Sequence, residues 1–180
     1  MTDWPTSPNY MLSGTIHSLG MGSQFGDFGL VRNAAQGSSA AWTTANDAIY
    51  IPFTIVAPIT AYLMAVENAA TVAGNVDLGI YDINGVRLVS IGSTAMAGAS
   101  TIQTFDIADT LLTPGTYFMA FASNSTTATH IHTGGGTAQW LRSYGVQQQA
   151  TAFALPATAT MVAPTRTNVP MLAIATKAVI

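Results

Sequence analysis

Two histidines stand one residue apart at His130 and His132. On a β-strand the side-chain period of two places both imidazoles on one face. Neutral imidazole is a common metal ligand, but two are too few to close a site. Three chains meeting on a threefold axis would supply six, enough for an octahedral ion. The simpler reading is a packed or solvated histidine pair with no resident metal, and His130 and His132 are the only metal candidates carried forward. The carboxylates that could work together are Asp77, Asp82, Asp106 and Asp109. Two carboxylates at the right separation perform glycoside hydrolysis, and three with carbonyl oxygens hold Ca²⁺. Turn chemistry explains them more directly. Asp82 precedes Asn84-Gly85, and Asp109 suits a cap or Asx-turn ahead of Pro114-Gly115.

No G-x-S-x-G elbow, P-loop, G-x-G-x-x-G or Cys/His ligand set accompanies these residues. A non-enzyme with no cofactor is therefore expected. Gly20–Gly29 is glycine-rich, but it follows no recognisable strand and opens no helix. The remaining candidates are aromatic. Trp42, Trp140, Tyr144 and Tyr50 could form a sugar-binding platform, although core or interface packing is the commoner role for such residues. Trp4, Tyr10, Trp42 and Trp140 are taken as partner-binding candidates.

The elements that must position these residues are strands. Val76, Leu78 and Ile80 alternate with Asp77, Gly79 and Tyr81, and Asn84-Gly85 marks the hairpin that sends Val86–Ser93 back alongside. Leu112–Tyr117 (LLTPGTY) has the form of a tyrosine corner, in which the phenol bonds back to upstream backbone. In the strand that follows, Phe118, Ala120 and Ala122 face one side and Tyr117, Met119 and Phe121 the other. Both faces are apolar, so that strand is expected to be buried on both sides or to meet a partner subunit. Ile49–Ile55 alternates clearly, with Pro52 predicting an edge strand or a bulge. Further strands are expected at Phe28–Asn33, Thr60–Asn68, Thr101–Ile107, Thr129–Thr133, Ala138–Tyr144 and Val169–Val179. Ala34–Asp47 reads as a loop. Gln147–Asn168 reads as a long irregular segment pinned across the surface or against neighbours. Residues 1–26 read as an extended N-terminal arm on a single domain, residues 27–180. The fold class is all-β: an antiparallel β-sandwich, jelly-roll-like.

Composition narrows the role. Of 180 residues, 49% are hydrophobic and only 7% charged, against about 25% charged in ordinary soluble domains. A surface so poor in charge suggests burial in an assembly. A net charge of −3 with five basic residues argues against nucleic-acid binding. No apolar run reaches the roughly 18–20 residues of a spanning helix; Pro52 and Pro58 break the best one. No membrane contact is expected, and the first residues lack the pattern of a secretory leader. The chain has no cysteine, which excludes disulfides and thiolate chemistry.

The segments AIYIPFTI, NVDLGIYDINGVRLVSIGSTA and TIQTFDIADTLLTPGTYFMAFASNSTTAT resemble, in that order, a group of sequences common in tailed-phage and prophage genomes. The matching residues are Tyr50–Phe53, Val76–Asp82, Gly85, Arg87–Ser90, Gly92–Thr94, Asp106–Thr110, Pro114-Gly115 and Tyr117. The likeness covers about residues 48–128. It implies a β-sandwich structural protein of the virion and carries no catalytic residues. Trimeric phage fibres are also known for His-x-His metal sites. The resemblance places the chain on no particular part of the particle; the poverty in charge makes the leading expectation a capsid decoration or cement protein that forms a homotrimer and binds the major capsid protein or other virion proteins. Its arm and the 147–168 segment would lash it to neighbours. The alternative is a receptor- or glycan-binding module of a tail fibre or spike.

Overall fold

A computed structural model describes residues 17–18, 24–26, 29–31, 37–133 and 137–178. Its strands are β1 (His17–Ser18), β2 (Gln24–Gly26), β3 (Gly29–Val31), β4 (Gly37–Ala41), β5 (Asp47–Ile55), β6 (Ile59–Glu67), β7 (Asn75–Asp82), β8 (Arg87–Ser90), β9 (Thr94–Ala95), β10 (Ile102–Leu112), β11 (Gly115–Ser123), β12 (Thr129–Thr133), β13 (Gln147–Gln149), β14 (Val169–Pro170) and β15 (Leu172–Ala178). One short helix, α1 (Ala138–Ser143), lies between β12 and β13. All strand pairs are antiparallel, and the sheets pack together as the all-β sandwich expected from the sequence.

The larger sheet runs β1-β5-β11-β7-β8, with β13 also on β5 and β9 also on β7. The second sheet is β10-β6-β15, and β14-β12-β4 forms a third. Alternation fills the space between the two main sheets. Ile49, Ile51, Phe53 and Ile55 of β5, Val76, Leu78 and Ile80 of β7, and Tyr117, Met119 and Phe121 of β11 share one core with Met64, Val66, Phe105, Leu112 and Leu172. Each such side chain stabilises the fold by about 1.5–3 kcal/mol on burial.

Two local signals act as their chemistry predicts. In the β7–β8 hairpin, Asp82 Oδ1 accepts hydrogen bonds from the Asn84 amide at 2.9 Å and the Val86 amide at 2.8 Å. Gly85 takes φ +80°, and an added Cβ would stand 3.1 Å from the Ala159 carbonyl oxygen. At the corner before β11, the Tyr117 hydroxyl donates to the Thr113 carbonyl at 2.9 Å. That bond ties the end of β10 to the start of β11.

The outer face of the larger sheet carries Ala48, Tyr50, Tyr81, Phe118, Ala120 and Ala122. It is closed by the chain itself, through Ala152, Phe153, Leu155, Ala159 and Met161. So β11 is buried on both sides within one subunit, and the 147–168 segment, expected across the surface or against neighbours, is a strap across its own sheet. Buried polar groups fix it there. Asp77 Oδ2 accepts from the Leu155 amide at 2.9 Å, the Arg87 guanidinium donates to the Leu155 carbonyl, and the Tyr81 hydroxyl donates to the Pro156 carbonyl at 2.6 Å. Gly79 makes room for the strap: an added Cβ would meet Leu155 Cδ1 at 3.1 Å.

Other expectations are corrected. Ala138–Tyr144 is helix, not strand, because Thr137 caps it: its hydroxyl oxygen accepts from the Trp140 amide at 3.3 Å. The 34–47 stretch contains β4. Strand β5 is neither an edge nor bulged against β11. Its far side pairs with β13 at residues 48–50 and with β1 at 53–54, and Pro52 falls in the gap between them. Residues 17–18 of the arm thus belong to the sheet, while Trp4 and Tyr10 lie outside the described residues.

Candidate functional site

The carboxylates do not converge. Asp77 is enclosed beneath the strap, Asp82 organises the hairpin turn, and Asp106 and Asp109 are exposed on β10 in the other sheet. Strand alternation puts Asp77 and Asp106 on opposite outer faces of the sandwich. Burial, only partly offset by the Leu155 amide and by Arg87, holds Asp77 above the usual carboxylate range. Tyr50, pushed up to about 12 by burial, donates to Gln149 Oε1 at 3.0 Å and stands edge-on to Tyr81. Both phenols serve the strap and its sheet.

The aromatic platform does not assemble either. Tyr50 and Trp42 are buried at 0% and 1% exposure, whereas Trp140 is 61% exposed. Trp140 instead stands edge-on to Tyr144, with ring centroids 5.7 Å apart on α1 and its cap. As a partner-binding candidate Trp42 is therefore corrected: its ring is a core element at one end of the sandwich.

The polar cluster that does form is built around that ring. Trp42 packs edge-on against Phe121 at 4.9 Å and His130 at 6.4 Å between centroids. The Arg166 guanidinium lies over it, 3.3 Å from the ring centroid. Arg166 Nε pairs with Asp47 Oδ2 at 3.1 Å, and a guanidinium NH₂ group donates to Thr43 Oγ1 at 2.9 Å. Gln148 Nε2 donates to the same Asp47 oxygen at 3.0 Å. Thr43 and Asp47, Gln148, and Arg166 are thus joined from three separate segments. Beside them a cavity of about 170 Å³ is lined by Ala41, Trp42, Thr43 and the Thr165–Asn168 stretch.

His130 and His132 are both enclosed, at 0% and 1% exposure. They point inward, toward this cluster. His132 Nε2 donates to the Ala40 carbonyl at 3.1 Å. Both His130 ring nitrogens, His132 Nδ1, Trp42 Nε1, Arg166 Nη1 and Asp47 Oδ1 are buried with no protein partner. Burial, followed by His132 and Arg166, lowers His130 to about 4, and burial also lowers His132. Burial lowers Arg166 to about 10 against the pull of Asp47. Burial likewise raises Asp47, outweighing its partner Arg166. Every group here is thus biased toward its neutral form, as desolvation requires.

Among the described residues no three His, Cys, Asp or Glu side chains gather in a metal-binding group. The inward direction of His130 and His132 sets them against their own core. The sequence pointed to Trp42 and to the two histidines separately. Asp47, Gln148 and Arg166 carried no motif, and their one faint signal is scarcity: Arg166 is one of five basic residues in the chain. The chain matches no family model, no curated protein and no solved structure.

Proposed function

We propose that this chain is a non-enzymatic structural protein of a tailed-phage virion, a decoration or cement protein that self-associates, as a homotrimer, and binds across capsid subunits. The observation that carries the reading is apolar exposure on a chain nearly without charge. Val56, Ile83, Ile102, Leu111, Trp140 and Val162 are each more than half exposed, while charged residues are 7% of the sequence. Val56 and Leu111 lie at one end of the sandwich, since Ile55 pairs with Gly115 and Ile59 with Leu112. Cement works by covering such surface at joints, at about 25 cal/mol per Å² before association costs. The resemblance over residues 48–128 supports the same reading, and the buried polar groups described above hold the chain's own segments together. With the 147–168 strap engaged on its own sheet, the lashing falls to the N-terminal arm.

Co-sedimentation with purified heads tests this. The full chain should pellet with heads, and a chain lacking residues 1–16 (which leaves β1 intact) should fold but stay in the supernatant. Normal pelleting of the truncated chain would overturn the arm's role. Failure of the full chain to pellet would overturn the decoration reading.

A second reading rests on Trp140, whose ring is 61% exposed on α1 beside the partly buried Tyr144. It makes the chain a receptor- or glycan-binding module of a tail fibre or spike. Glycan-array signal lost in Trp140→Ala would favour it.

A further inference from the structure

The Trp42 cluster carries an inference independent of what the protein binds. We propose that His130 and His132 form an acid-sensitive latch: a proton on either imidazole repels the Arg166 guanidinium, and residues 163–168 lift away from Trp42.

The argument begins with what holds that stretch. Residues 163–168 contain no strand or helix. Their polar attachments are few: Arg166 to Asp47 and Thr43, the Thr165 amide to Gln148 Oε1 at 2.9 Å, and the Pro164 carbonyl accepting from Arg142 Nε at 3.0 Å; Pro164 is also buried, and Arg166 lies on the Trp42 ring. Of these fastenings the guanidinium is the charged one, and through Asp47 it is joined to Gln148, which also holds Thr165.

His130 stands edge-on to the Trp42 ring that this guanidinium covers, with ring centroids 6.4 Å apart, and His132 is the next inward side chain on the same strand. His130 is enclosed by Trp42 and by Phe121, whose ring is 4.8 Å away. Neither of its ring nitrogens has a protein partner, so a second proton would be neither solvated nor hydrogen-bonded while the cover is shut. The charges around it are unequal. On β12 the neighbour is His132, on the C-terminal stretch Arg166, and on β5 Asp47, already paired with Arg166. Strand β4 opposite contains no titratable residue. Glu67 ends β6 beside Asn68, which bridges to His130. The influences felt by His130 from His132 and Arg166 both disfavour its charged form. Lifting Arg166 removes the repulsion and admits water from the adjoining cavity, so the open form takes up the proton that the closed form refuses.

The sign follows from linkage. A histidine held neutral in the closed form and titrating near 6.5 when open favours opening progressively as pH falls below 6.5. The effect is up to tenfold per pH unit for each imidazole, and for His130 it ends near its closed-form value of about 4.

Hydrogen exchange read by mass spectrometry, corrected for the intrinsic pH dependence of exchange, tests the latch on the full chain. The amides of Ala163 and of residues 165–168 should open more often than those of β7 at every pH, and their opening should rise at least tenfold from pH 6.5 to pH 5. The rise should persist in Asp47→Asn, shrink in each of His130→Phe and His132→Gln, and be lost when both histidines are replaced; His130→Asn serves if the Phe variant does not fold. Opening of this stretch that ignores pH would overturn the latch. So would opening only together with β7. A rise kept in the histidine variants but lost in Asp47→Asn would assign the response to the carboxylate and equally overturn it.

Discussion

The carboxylate of Asp77, on the strap-covered outer face of the larger sheet, accepts a hydrogen bond at 2.9 Å from the backbone of Leu155, 78 residues away. Arg87 grips the carbonyl of the same residue. The pair makes one of the carboxylates that the sequence offers for joint chemistry into the fastening of an irregular segment. Removing the acceptor leaves a buried amide unpaired, which costs about 1–3 kcal/mol. Asp77→Ala should lose stability on that scale in urea denaturation. Asp77→Asn keeps an oxygen for the Leu155 amide and should be nearly as stable as the wild type at pH 7. Because burial raises Asp77 above its unfolded value, its contribution is greatest at low pH and falls as pH rises from about 3.8. Asp77→Asn should therefore gain on the wild type as pH increases.

Tyr117→Phe removes the bond to the Thr113 carbonyl without removing the ring, which stacks on Phe53 with centroids 5.8 Å apart. A loss of about 0.5–1.5 kcal/mol is expected, read as a lower denaturation midpoint at unchanged slope.

The two tryptophans in the described part should separate cleanly. Trp42→Ala empties a site under Arg166 and beside Phe121 and should cost about 3–5 kcal/mol. Trp140→Ala removes a side chain that is 61% exposed and should change stability by no more than about 0.5 kcal/mol. Melting curves of the two variants check both outcomes.

His130 sets a pH dependence of overall stability. Its folded value of about 4 lies below the unfolded 6.5, so stability is full above pH 6.5 and is lost as pH falls toward 4. The loss amounts to on the order of 3 kcal/mol. Asp47 and Asp77, both raised by burial, act in the opposite direction at low pH. The comparison is therefore between wild type and His130→Phe: their urea midpoints should converge as pH falls from 6.5 to 4, with the wild type losing ground.

What the sequence revealed and what it concealed divide by range. The Asn84-Gly85 hairpin and the Tyr117 corner are legible because their signals act over a few residues. The two-faced burial of β11 is legible because alternation is a local pattern. The helix at Ala138–Ser143 is short, and Thr137, the residue that caps it, is inconspicuous among the many threonines of a β-rich chain. The cover over Phe118, Ala120 and Ala122 could be a partner or the chain's own strap, and composition does not distinguish them. The Trp42 cluster is still less visible. Asp47, Gln148 and Arg166 meet across more than a hundred residues, and the inward turn of His130 and His132 depends on which way β12 faces between β4 and β14.

The central claim is that the chain is a capsid decoration protein, and its copy number in purified particles tests this most directly. Quantitative mass spectrometry against the major capsid protein should give hundreds of copies per particle. A few to a few dozen copies would contradict decoration and move the chain to the tail or fibre, where the Trp140–Tyr144 pair becomes the site to study. Absence from the particle would contradict both readings.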